Sequence, residues 1–162
     1  MGCELGQSAE WNANAELDWW LLGTGPYHRG VQCLIEDLNK LYQRERALWE
    51  GDYDLEGFFW MDCSDHEGSV LSFVRQNKER TSQFLVILNL TPVLRLRYRV
   101  GLPQGGFWRE ALNTDSKIYG GSNQGNYGGV TAQEHQIHSQ PYSAEFTLPP
   151  MSVTVFRPET GA

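Results

Sequence analysis

Apolar and polar positions alternate along this chain with two different periods, and the change falls near Gly51. From His28 to about Trp49, apolar residues recur at Val31, Leu34, Ile35, Leu38, Leu41, Tyr42 and Leu48. Spacings of three and four place them on one face of an amphipathic helix. Pro26 near its start and Gly51 beyond its end fit the usual start and stop signals. Beyond Gly51 the period becomes two, which predicts strands at Gly57–Asp62, Ser69–Gln76, Phe84–Asn89, Arg95–Gly101, Trp108–Leu112, Tyr142–Leu148 and Ser152–Phe156. Turn formers separate them: Asp65 to Gly68, Asn77 to Arg80, Thr91-Pro92, Pro103 to Gly106 and Pro149-Pro150. The last two strands read as a pair that closes the sheet. Strands this short and this evenly spaced predict an antiparallel sandwich or barrel.

Two stretches follow neither period. Residues 1–26 are irregular and polar, punctuated by Asn12, Asn14, Gly23 and Gly25. Tyr119 to Gly129 holds five glycines, yet no helix former and no Gly-Lys-Ser/Thr follows, so a phosphate cradle is a poor reading. A β-loop shaped by glycines at positive φ fits better. Arg95, Arg97 and Arg99 alternate with Leu96 and Tyr98, the polar face of a strand rather than an anion site.

Composition narrows the function classes. At 162 residues the chain suits one domain, or a small domain with an appendage. The net charge of −7 opposes nucleic acid and anionic membranes as partners. No basic run followed by a long apolar stretch marks a signal or a span. Three widely spaced cysteines, Cys3, Cys33 and Cys63, make no metal or redox motif and point to a reducing cytoplasm. Six tryptophans are unusual. Their flat rings suit sugar faces, and they suit a β-rich core equally.

Candidate chemistry is thin. Cys63 and His66 flank a turn and do not constitute a dyad. His135 and His138, with Glu134, have a spacing better suited to a solvated loop than to a metal site. Asp52/Asp54 and Asp62/Asp65 are the carboxylate pairs available for glycoside chemistry, yet both lie in polar turns at strand ends. No cofactor and no metal is expected.

Several words then carry a resemblance. Met1-Gly-Cys-Glu-Leu-Gly-Gln7, Glu10-Trp-Asn12 and Leu17-Asp-Trp-Trp-Leu-Leu22 resemble the bacterial 1,4-α-glucan branching enzymes of the α-amylase superfamily. The likeness runs on through His28-Arg-Gly-Val-Gln32, Asp37-Leu-Asn-Lys-Leu-Tyr42, Ser69-Val-Leu-Ser-Phe73, Asn89-Leu-Thr-Pro92 and Tyr98-Arg-Val-Gly-Leu-Pro103. It continues in Leu112-Asn-Thr-Asp115 and Tyr119-Gly-Gly-Ser-Asn123, and ends on Leu148-Pro-Pro-Met151. Leu5, where the family has Phe, and Trp20, where it has His, depart from the pattern.

The resemblance implies that residues 1–50 are the end of a (β/α)8 catalytic barrel, its last loop and helix. Residues 51–162 would then be the C-terminal all-β sandwich domain. The expected fold is therefore mainly β: an antiparallel β-sandwich preceded by a loop and one amphipathic helix. Met1 resembles an internal residue of the family, so a piece of a longer enzyme is expected. The family's nucleophile, acid/base and third carboxylate match nothing here, and no catalytic residue is carried over. Glu10, Trp11 and Asn12 would lie on the substrate face of the barrel. Trp11 would either line a glucan subsite or, with Trp19, pack the loop against the barrel rim.

The implied partners are an α-glucan (glycogen or amylose), met through the parent enzyme, and the rest of the barrel. No branching or hydrolysis is expected from the chain alone. The β region from about Gly51 to Pro158 is expected to fold without the helix. Val31, Leu34, Leu38 and Leu41, deprived of barrel strands, are expected to drive self-association. Two alternatives stay open: another enzyme of the superfamily, such as a trehalose-releasing hydrolase, and a free-standing carbohydrate-binding β-module. An exposed Trp60 or Trp108 would favour the module, and buried rings would favour plain core.

Overall fold

The computed structural model describes residues 2–159. Met1 of the first family word and residues 160–162 of the expected β domain lie outside the described residues. Two short 3₁₀ turns, Cys3–Leu5 and Trp19–Gly23, interrupt the irregular N-terminal segment. Helix α1 spans Pro26–Arg44 and is followed by a 3₁₀ turn at Arg46–Leu48. The strands are β1 (Phe58–Asp65), β2 (Val70–Gln76), β3 (Gln83–Asn89), β4 (Arg95–Leu102), β5 (Phe107–Asn113), β6 (Gly129–Thr131), β7 (Tyr142–Leu148) and β8 (Ser152–Pro158).

The strands form two antiparallel sheets of unequal size. One has six strands in the order β1-β2-β3-β8-β5-β6, and the other pairs β4 with β7. Between them lies the main core. Val100, Leu102, Ala144, Phe146 and Leu148 of the small sheet meet Met61, Val74, Leu85, Ile87, Trp108 and Phe156 of the large one. Phe146 and Phe156 pack edge to face at 4.8 Å across the layers. Alternation is cleanest in β2, where Val70, Ser72, Val74 and Gln76 are buried and the residues between are half-buried. The expected sandwich is thus the observed architecture.

Three local expectations are corrected. The final two strands are not a pair: β7 bonds to β4, whereas β8 lies between β3 and β5. Pro149-Pro150 carries the chain from one sheet to the other, with Met151 at a φ of 47° closing the turn. The buried Asn89 side chain braces that crossing, donating to the carbonyls of Pro149 (2.9 Å), Leu148 (3.3 Å) and Val93 (2.8 Å). The arginine alternation of β4 breaks at Arg97, which sits at a φ of 55° in an irregularity between Arg95 and Tyr98. Leu96 is consequently exposed while Tyr98 turns towards the core. The period-two pattern also overlooked β6, three residues at the end of the glycine-rich loop.

The helix is shorter than its apolar pattern. Glu45 takes an extended conformation, φ −104° and ψ 103°, and ends α1. The Glu45 carboxylate pairs with Arg157 of β8 at 3.1 Å. This break turns the following 3₁₀ residues onto the outer face of the large sheet. There Leu41 and Ala47, with Leu34 and Leu48 beside them, form a second cluster with Phe84, Leu112 and Val155. Leu41 is 6% exposed and Ala47 fully buried. The sheet itself therefore covers Leu34 and Leu41, two of the four residues expected to drive self-association. Tyr27, Leu38 and Tyr42 remain exposed on α1.

This cluster crosses the expected boundary at residue 50, and it is sensitive to cavity formation. Leu41→Ala is expected to lower unfolding stability by about 2–4 kcal/mol, whereas Leu55→Ala, on a side chain open to solvent, should change it by less than ~0.5 kcal/mol. Urea titration followed by tryptophan fluorescence measures both.

Candidate functional site

Glu10, Trp11 and Asn12 come together on the segment before α1, and all three are exposed. Two buried leucines, Leu5 and Leu21, anchor that segment on either side. His28, in the first turn of α1, donates from Nδ1 to the Leu5 carbonyl at 2.7 Å, which ties the segment to the helix. Gly6, at a φ of 61°, makes the turn that passes Val31 closely. Asn12 Oδ1 accepts the Asn14 N–H at 2.9 Å, an Asx turn that sharpens the loop tip. Gln7 Oε1 accepts the Asp18 N–H at 3.4 Å and closes the loop base.

The result is a small depression of about 140 Å³ holding Glu10, Trp11, Asn12, Glu16 and Asp18. Trp11 is 64% exposed, and Trp19 and Trp20 are comparably open. The loop therefore offers one flat ring beside carboxylates and an amide. Among the described residues no second ring packs on Trp11, and the depression holds no paired base and nucleophile and no cation.

The carboxylate candidates are occupied by structural partners. Asp52 is ion-paired with Arg75 and accepts the Tyr42 hydroxyl at 3.2 Å, and the Arg75 contact holds its carboxyl below the usual range. Asp54 pairs with Lys78 at 3.0 Å. Asp62, which lies inside β1 rather than at its end, accepts from Ser64 Oγ (2.7 Å) and Ser64 N–H (2.9 Å). Burial pushes its carboxyl up, and these two bonds together with His138 outweigh the push, leaving it below the ordinary value. His138 Nε2 faces it at 3.5 Å, while Nδ1 accepts the Gly101 N–H at 3.3 Å. Cys63 and His66 are both exposed, and no hydrogen bond joins them among the described residues. Among the described residues, no three His, Cys, Asp or Glu side chains converge as metal ligands.

Aromatic residues divide in the way that separates core from surface. Trp108 is fully buried, with its Nε1–H donating to the Gln104 carbonyl at 3.2 Å. Trp60 is half exposed on the outer face of β1, in edge-to-face contact with Phe58 at 5.1 Å and Phe73 at 5.9 Å.

A larger depression, about 290 Å³, was not expected from the sequence. It lies between the outer face of β5 and the glycine-rich loop, and a second one of about 210 Å³ adjoins it beside α1, sharing Ala111, Leu112 and Tyr119. The loop is tied down at three points. Asp115 accepts from Ser122 N–H, Ser122 Oγ and Gln124 N–H at 2.7–3.0 Å. Glu110 Oε2 accepts both the backbone and side-chain N–H of Asn126, and Asn113 Nδ2 donates to the Gln124 carbonyl at 2.7 Å. The Tyr119 hydroxyl donates to Asp37 of α1 at 2.8 Å. Burial, and then that bond, push the Tyr119 hydroxyl well above its ordinary value. A Cβ at Gly30 would collide with the Tyr119 carbonyl, so glycine there lets loop and helix touch. The words Leu112-Asn-Thr-Asp115 and Tyr119-Gly-Gly-Ser-Asn123 carried the signal, since they hold the polar residues that fasten this loop.

Asp65 shows how far such polar ties stabilise the fold. It accepts the Tyr98 hydroxyl (2.7 Å) and the Gly68 N–H (2.6 Å), and these bonds, the tyrosine first, hold its carboxyl below the usual value. A depressed folded-state value means that the contribution is complete above about pH 4 and is lost as pH falls through the folded-state value. Asp65→Asn should therefore lower the melting temperature at neutral pH, and the difference from wild type should shrink as pH falls from about 4 through the folded-state value of Asp65. Thermal melts of both proteins across that range check the sign.

Comparison with known proteins places this geometry. The family model for the alpha amylase C-terminal all-beta domain matches residues 60–159. The chain is 50% identical to the 1,4-alpha-glucan branching enzyme of Aquifex aeolicus, over 98% of the chain and 25% of that protein. It is 48% identical to the enzyme of that name from Parasynechococcus marenigrum, over 97% of the chain and 20% of that protein. It is also 48% identical to one from Xanthomonas axonopodis pv. citri, over 98% of the chain and 22% of that protein. The chain thus spans a quarter or less of the length of these relatives. With β1 to β8 inside or bordering the matched span, the chain belongs to the alpha-amylase C-terminal all-beta domain family.

Proposed function

We propose that this chain serves as the C-terminal part of a 1,4-α-glucan branching enzyme. Such an enzyme cleaves an α-1,4 glucan, holds it as a glycosyl intermediate and transfers it to a 6-hydroxyl. The observation that carries this reading is identity near one half across almost the whole chain, including the segment before α1 that the β-domain model does not cover. On this reading residues 1–50 complete a (β/α)8 barrel and residues 51–162 form the domain packed behind it. The chain contributes no reacting carboxylate. Its part is to present Glu10, Trp11 and Asn12 to a glucan, with the tryptophan ring against a sugar face and the carboxylate and amide on hydroxyls. The remaining partner is the rest of the barrel, met through the exposed Trp19, Trp20 and Tyr27. In its absence these rings and Tyr42 are the surface through which two copies would associate.

A cytoplasmic location belongs to the same reading and rests on three free cysteines, two of them exposed. Among the described residues no helix is long and apolar enough to cross a membrane. The half-exposed Trp60 favours a second reading, direct glucan binding by the β domain, whereas the buried Trp108 does not contribute to it.

A chimera tests the main reading. This chain is substituted for the matching C-terminal quarter of the Aquifex aeolicus enzyme, and branching of amylose is followed by iodine colour. The chimera should branch, the chain alone should not, and Trp11→Ala in the chimera should lower kcat/KM by about tenfold, the equivalent of ~1.4 kcal/mol. A folded chimera without branching activity would contradict the reading.

A further inference from the structure

We infer that the hairpin turn at residues 137–140 is a pH-operated clasp between the two sheets, closed by a neutral His138 and released when its imidazole takes up a proton. The turn lies where β1, the edge strand of the large sheet, comes beside β4 of the small one. His138 (φ 51°) and Ser139 (φ 59°) are its two central residues, and Ile137 and Gln140 close it with backbone bonds of 2.9 and 3.2 Å. Two successive residues at positive φ are the usual setting for Asn-Gly, so a histidine stands there against its backbone preference. Its ring is 18% exposed and spans the gap between the sheets. Nε2 faces Asp62 Oδ2 of β1 at 3.5 Å, and Nδ1 accepts the Gly101 N–H of β4 at 3.3 Å. Gly101 permits this approach, since a Cβ there would meet the Ile137 carbonyl at 2.7 Å and the Met61 sulfur at 3.1 Å.

The Gly101 N–H makes this contact a condition on protonation. Gly101 faces Ser143 of β7, but the Ser143 N–H and carbonyl both bond to Gln133 on the other side, so the facing pair exchanges no ladder bonds. The Gly101 N–H therefore points to the free edge of β4, where the imidazole is its acceptor among the described residues. Gly101 is buried, and a buried N–H needs a partner. Only a neutral ring with its proton on Nε2 can accept there, because a proton on Nδ1 sets two donors against each other. Imidazoles gain that second proton near about pH 6.5. Asp62 draws the charged ring the other way. Its Oδ1 is taken by Ser64, Oδ2 is left to face Nε2, and its carboxyl, held below the ordinary value, stays ionised as pH falls to about 5. Of the other charged groups on these elements, Asp65 is engaged by Tyr98 and Arg95 by the Gly68 carbonyl. Arg99 is engaged by Gln133, Ser143 and Glu145, and Arg97, Glu134 and His135 are exposed. The protonated ring thus exchanges its bond to β4 for an ion pair with β1, and the turn lets go of the small sheet.

The test is nitrogen-15 NMR of the full chain between about pH 7.5 and about pH 5, a window that spans ordinary histidine titration. At the upper end the His138 ring should carry its proton on Nε2, and the Gly101 amide should be protected from hydrogen exchange relative to its intrinsic rate at that pH. On acidification that protection should fall at least about fivefold, the equivalent of one net hydrogen bond, while buried Leu85 in β3 keeps its own. His138→Asn keeps an acceptor at the Nδ1 position, cannot take up the proton and suits a positive φ, so its Gly101 protection should not depend on pH. Asp62→Asn removes the ion pair that favours release and should move the midpoint of the loss to lower pH by about half a unit. A proton on Nδ1 at the upper end, Gly101 protection that is constant across the window, or an unmoved midpoint in Asp62→Asn overturns the clasp. So does an equal loss in His138→Asn, or a parallel loss at Leu85, which would mean that the whole sandwich opens.

Discussion

A six-stranded sheet has two faces, and the small β4–β7 sheet covers only one of them. The outer face of β3, β5 and β8 presents Phe84, Leu112 and Val155, three side chains buried by residues that precede the sandwich in sequence. Their burial constrains everything N-terminal to it. Helix α1 must lie against that face, must end where Glu45 meets Arg157, and must hand over to a turn that buries Ala47. Each apolar side chain taken out of water there contributes on the order of 1.5–3 kcal/mol, which far exceeds what the surface ion pairs around it supply.

The same helix links two loops to the sandwich. His28 fastens the Trp11 segment at one end of α1, and Tyr119 fastens the glycine-rich loop along it through Asp37 and the close approach at Gly30. One helix, itself packed on the sheet through Leu41, thus holds two loops in place.

The main architecture was legible because it rests on periodicity. The change at Gly51 from three-and-four spacing to alternation marked the helix and seven of the eight strands. What escaped was set by tertiary partners. The 3₁₀ break at Glu45 depends on Arg157, more than a hundred residues away. The separation of β7 from β8 depends on Asn89, whose amide holds the crossover carbonyls in place, and local alternation cannot tell a hairpin from a change of sheet. The break at Arg97 is likewise invisible to a pattern that continues unbroken through it. For the site, Glu10, Trp11 and Asn12 were readable because they are contiguous and form a family word. The groove was not, because its walls come from β5, the loop and α1.

The most direct measurement of the central claim, that α1 is held by the outer sheet face, is hydrogen exchange of backbone amides in the full chain. Amides from Leu34 to Leu41 should exchange as slowly as those from Leu85 to Leu88 of β3, because both open only with the cooperative unfolding of the second cluster. Exchange in α1 faster by orders of magnitude, with β3 still protected, would show that the helix opens without the sheet and would contradict the account.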